Sequence, residues 1–63
     1  MAESIKSKIA RYEHTADTFE RLHAKYLRMA RNGQGDQYYQ FAENALWRVR
    51  ACRSRAARLK NKL

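Results

Sequence analysis

The sequence predicts an all-α protein, an antiparallel two-helix hairpin. Three observations carry this: there is no proline, the only two glycines (Gly33 and Gly35) share one short segment, and apolar residues recur at helical spacing on both sides of it. One unit of 63 residues is expected, with helix 1 over about residues 4–31, a loop at 32–36 and helix 2 over about 37–62.

In the first half, Ile5, Ile9, Tyr12, Ala16, Phe19, His23, Tyr26 and Ala30 step alternately by four and three, the stripe of a heptad helix. Ser4 is the expected N-cap. His23, the one polar member, is expected to be satisfied by a hydrogen bond on the seam or to make association pH-dependent.

The segment "NGQGD" supplies the turn. Gly33 follows Asn32 where a left-handed helix end is wanted, and Asp36 is expected to cap helix 2 by accepting backbone N–H bonds.

In the second half the stripe resumes as Tyr38, Ala42, Ala45, Val49, Cys52, Ala56, Leu59 and Leu63. Folding the chain back about residue 34 pairs the two stripes throughout: 30 with 38, 26 with 42, and so on to 5 with 63. Large faces small in many layers, as with Tyr26 and Ala42 or Tyr12 and Ala56, which lets the helices approach closely.

The positions beside the stripes predict the next level of assembly. Leu22, Met29 and Phe41 lie together on one side, and Leu27, Tyr39 and Leu46 on the other, all near the loop. A two-helix seam has no third layer to cover them, so a homodimer in a four-helix arrangement is expected through these residues. A chain this short with one cysteine cannot compensate for its thin core with disulfides, which also favours a partner subunit.

Charge points to the partner. The net charge is +8. Residues 47–63, "WRVRACRSRAARLKNKL", contain five arginines, two lysines and no acid, whereas the preceding residues nearly balance. Such asymmetry predicts a polyanionic partner. Arginine binds phosphate or a guanine edge bidentately and stacks on bases, so RNA or DNA is expected, with Arg48, Arg50, Arg53, Arg55, Arg58 and Lys60 as contacts. After Glu43 helix 2 has no acid of its own, and its free end is expected to be basic on every side except the packed face. From helix 1, Glu13 is placed to reach Arg53, while Lys8 opposes Lys62 and Lys6 opposes Lys60. Trp47 falls opposite the seam, where it can stack on an unpaired base or pack against a partner.

Other classes fit less well. No apolar run approaches a membrane span, and the N-terminal "MAESIKSKIARYEH" lacks the apolar block of a signal peptide. A cytoplasmic location is expected, consistent with the lone Cys52. Cys52 and His23 lie too far apart in the register for a nucleophile pair, and no metal-ligand spacing occurs, so neither an enzyme nor a metal or other cofactor is expected.

Residues 23–48 carry "KYLRMAR" (Lys25–Arg31), then Gly35 and Asp36, then "QFAENALWR" (Gln40–Arg48). This order resembles a small helical domain of unknown function found in alphaproteobacterial proteins, whose members join it to Arg- and Asn-rich segments that look RNA-binding. The resemblance implies a helical fold and leans toward RNA. In length and hairpin architecture the chain is also similar to plasmid RNA-binding regulators of the repressor-of-primer kind, dimers of helical hairpins that grip paired RNA loops. A small nucleic-acid-binding regulator is therefore expected, RNA favoured over DNA. The alternative is a phage- or plasmid-type adaptor or inhibitor that docks on a host protein through Leu22, Met29, Phe41 and Trp47, its basic tail steering encounter.

Overall fold

A computed structural model describes residues 3–63 as two antiparallel helices, α1 (Ile5–Arg31) and α2 (Gln37–Lys60). They form a rod with extents of 46 × 18 × 14 Å. No helix among the described residues is long and apolar enough to cross a membrane.

Local chemistry sets the helix ends. The Ser4 side chain accepts a hydrogen bond from the Ser7 backbone N–H at 3.1 Å, so one of the first-turn donors that lack an intrahelical acceptor is satisfied. At the other end of α1, the Gly33 N–H donates to the Ala30 carbonyl and the Gln34 N–H to the Met29 carbonyl, at 3.2 and 3.1 Å. This pair of bonds is a Schellman closure, and Gly33 supplies its left-handed residue with φ of 78°.

Asp36 does not cap α2 as the sequence predicts. Its backbone is already right-handed helical (φ −67°, ψ −22°), and its side chain makes no capping bond. A capping side chain needs an extended backbone to fold back over the first turn, and here that deviation falls one residue earlier, at Gly35 with φ of 140°. The Gly35 and Asp36 carbonyls accept from the Tyr38 and Tyr39 N–H groups instead.

The expected stripes are the core. Among the described residues the seven buried side chains, Ile9, Ala16, Ala30, Ala42, Ala45, Val49 and Ala56, all belong to them, and five are alanine. Each stripe consists of two rows. One row (Ile9, Ala16, His23 and Ala30 of α1; Ala42, Val49 and Ala56 of α2) is covered except at half-buried His23, while the other (Ile5, Tyr12, Phe19 and Tyr26; Tyr38, Ala45, Cys52 and Leu59) is only half-buried except at Ala45. The hairpin therefore closes tightly along one row and leaves the rings of the second partly open along one flank.

The final stripe residue departs from expectation. Leu63 is 67 % exposed, because α2 ends at Lys60 and the last residues turn with Lys62 and Leu63 N–H groups bonded to carbonyls three residues back. That tighter turn rotates Leu63 off the seam.

His23 is half-buried, and its Nδ1 lies 2.8 Å from the Ala42 carbonyl on the facing helix. Since a carbonyl only accepts, Nδ1 is the donor.

Candidate functional site

The basic residues of α2 divide between two flanks that differ in what α1 sets against them. Arg53 lies 2.5 Å from Glu20 and 3.5 Å from Asp17, and Lys60 lies 2.7 Å from Glu13. By register Glu43 belongs to the same side. This flank carries both signs, so the expectation that the free end is basic all round its exposed surface is corrected.

The pairing is also shifted. Glu13 was expected to reach Arg53 and instead holds Lys60, which the sequence sets opposite Lys6. The reason is the lean of helical side chains toward the N-terminus of their own helix. In an antiparallel pair the two sets lean in opposite directions, so Arg53 reaches toward the loop, to Asp17 and Glu20, and Lys60 reaches up to Glu13.

The other flank receives no such neutralisation. Its register positions run Lys8, Thr15, Leu22 and Met29 on α1 and Phe41, Arg48 and Arg55 on α2, with Lys62 just past the end of α2 and Arg11, Lys25, Asn44 and Arg58 just outside the row. No acid occupies any of these positions. Arg11 is held by Glu3 at 2.8 Å, but Lys8, Lys25, Arg48, Arg55, Arg58 and Lys62 form no ion pair among the described residues.

The half-buried rings open onto this same flank. The Arg48 guanidinium sits 5.3 Å from the centroid of the Phe19 ring, and that of Arg55 sits 6.0 Å from Tyr12. Each arginine rests on an aromatic face that restricts its motion while its donors stay free. Near the chain ends, Lys8, Arg55, Arg58 and Lys62 surround a shallow groove of about 260 Å³ floored by Tyr12 and Leu59. Near the loop, the rings of Tyr26, Tyr38 and Phe41 form a cluster with centroids 5.6–6.1 Å apart.

Comparison with family models, with curated proteins and with solved structures returns no match.

Of the residues that the sequence singles out, the structure thus gathers Arg48, Arg55 and Arg58 on one acid-free flank and binds Arg53 and Lys60 into ion pairs on the other. Arg50, one heptad after Glu43, lies at the outer edge of the mixed flank with its guanidinium 5.4 Å from the ring of Trp47, which is 60 % exposed on the outer face of α2. The apolar residues divide as expected, with Leu22, Met29 and Phe41 on the acid-free flank and Leu27, Tyr39 and Leu46 on the mixed one. Lys8 and Lys62, which the sequence sets opposite each other, join the site together with Tyr12 and Phe19. Their signal was the heptad itself, which places 8, 15, 22 and 29 alongside 41, 48, 55 and 62.

Proposed function

We propose that this chain is a small nucleic-acid-binding regulator, a dimeric helical hairpin that favours RNA over DNA and holds phosphates along its acid-free flank. The observation that carries the reading is the segregation of charge. Solubility is served by mixed signs, yet four of the six acids stand on one flank and six unpaired cations on the other. Convergence of Lys8, Arg55, Arg58 and Lys62 round one groove is self-repulsive until an anion enters it.

RNA is favoured because aromatic rings interleave with the cations. Paired nucleic acid offers phosphates but hides its base faces, whereas RNA loops and bulges present unstacked bases to rings and guanidinium planes. A hairpin of this size acts on such a target by occupying it, as a regulator does.

The dimer is assigned to the mixed flank, through Leu27, Tyr39 and Leu46. A second copy placed there meets both signs and can match them, whereas on the acid-free flank it would set cations against cations. The surface supports association. The chain exposes 5037 Å², about 800 Å² more than the roughly 4,200 Å² expected for a compact monomer of this mass, and a standard interface covers about 800 Å² per partner.

The test is fluorescence anisotropy with a labelled stem-loop RNA and a DNA duplex of similar length across a salt series, using the wild type, Arg55→Glu and Arg53→Glu. Micromolar or tighter binding that weakens steeply with salt is expected, with Arg55→Glu losing about tenfold or more and Arg53→Glu little. Absence of binding to either ligand at about 100 mM salt would overturn the reading.

A further inference from the structure

We propose that the groove between Phe41 and Arg48 is a pocket for one unpaired nucleobase of the strand whose phosphates lie along the acid-free flank. This rests on the nucleic-acid reading above and adds to it a site, a ligand class and a preference for single strands.

The groove is built by Phe19, Leu22, Tyr26, Phe41, Asn44 and Arg48, with Ala45 at its floor, and has a volume of about 170 Å³. Ligand clefts for drug-sized molecules run roughly 300–1,000 Å³, so this one suits a single flat ring system rather than a whole nucleotide. Three of its walls are aromatic. Phe41 is held by the rings of Tyr26 and Tyr38, inclined to it at 59° and 79°, yet remains 45 % exposed. A ring that is fixed in orientation and still uncovered is a preorganised stacking surface.

Two polar side chains complete the lining, and their chemistry selects the occupant. The Asn44 amide can donate and accept, and its Oδ1 is engaged only by a long 3.4 Å contact from Gln40. The Arg48 guanidinium only donates, and it rests on Phe19. An amide and a guanidinium beside stacked rings match the mixed edge of a base, where an aliphatic anchor from a protein would leave both unused.

Continuity with the cations settles the choice of partner. Arg48 belongs both to the groove and to a row with Arg55, about 10 Å further along α2, which Lys62 continues just past the helix end. A strand with one base in the groove runs its phosphates down this row toward the Lys8 and Arg58 cluster. A second copy of this chain would have to bring the same positive flank against it.

The measurement is steady-state fluorescence of full-length protein with a short single-stranded RNA carrying 2-aminopurine, beside the same probe annealed into a duplex. Binding should quench the free-strand signal and favour the single strand, and Phe41→Leu should abolish the quench and weaken single-strand affinity about 5- to 150-fold while leaving duplex affinity unchanged. Asn44→Ala, an exposed and helix-favourable change, keeps the test valid if Phe41→Leu loses helicity by circular dichroism. It should reduce discrimination among probes that differ in one base.

Equal binding of strand and duplex, with both variants like wild type, would overturn the pocket and leave the nucleic-acid reading standing. Loss of the oligomer in Phe41→Leu with quenching intact would likewise overturn it, by assigning the groove to a second copy. Failure of both probes to bind would remove the nucleic-acid reading and the pocket with it.

Discussion

Individual residues decide where the chain turns and which cations are free. Gly33 and Gly35 have different roles in a loop of five residues, 32–36. Gly33 is left-handed with open space where a Cβ would stand, whereas Gly35, at φ of 140°, lies well outside the left-handed helical region in backbone that L residues rarely adopt, and a Cβ there would only push aside the flexible end of Gln37. Gly33→Ala should therefore cost roughly 1–2 kcal/mol, the ordinary penalty of a left-handed alanine. Gly35→Ala should cost more, toward the upper part of about 1–3 kcal/mol. Urea denaturation of the two variants side by side checks the order. The sequence announces the turn through these glycines, but it misplaces the cap: Asp36 has the right chemistry for an N-cap, and only the backbone angle shows that Gly35 has already taken the deviation.

At the scale of the helices, packing is governed by alanine. Ala16 is 0 % exposed in the middle of α1, and the row it shares with Ile9 and Ala30 meets Ala42, Val49 and Ala56 across the seam. Ala16→Leu should force the helices apart and destabilise the hairpin by about 1–3 kcal/mol, read from thermal unfolding by circular dichroism. The ion pairs are worth less. Arg53 is half exposed and its partners more than half on the mixed flank, so Arg53→Ala should change stability by less than about 1 kcal/mol in the same assay. Their role in this reading is to remove Arg53 and Lys60 from the set of free cations. The stripes were legible because a period of alternating three and four residues is a property of one helix. Which acid meets which base was not, because it depends on the opposite lean of side chains on two antiparallel helices.

For the whole molecule, charge and association are coupled. If Lys8, Arg48, Arg55, Arg58 and Lys62 each neutralise one phosphate of a single strand, the logarithm of the binding constant should fall with that of salt with a slope of about −3.5. Including Arg53 and Lys60 would steepen it to about −5, so the salt series itself counts the flanks. Assigning the dimer to the mixed flank predicts that Leu46→Asp lowers the mass seen by sedimentation equilibrium to that of one chain. Phe41→Asp, on the opposite flank, should leave that mass unchanged.

The sequence by itself determined the two helices, the turn between them and the stripes within which the buried side chains lie, because these follow from spacing along one chain and from the conformational freedom of glycine. It also determined the excess of positive charge. The heptad also divides Arg48, Arg55 and Lys62 from Arg53 and Lys60; only the tertiary structure decided which of them meet an acid and which a ring: the acids of α1 reach Arg53 and Lys60 on one flank, while the rings of Tyr12 and Phe19 open beneath Arg55 and Arg48 on the other. A charge count along α2 cannot separate these arginines, since what distinguishes them is the neighbour supplied by the facing helix, and an acid a few ångströms away cancels a cation that would otherwise be free to bind.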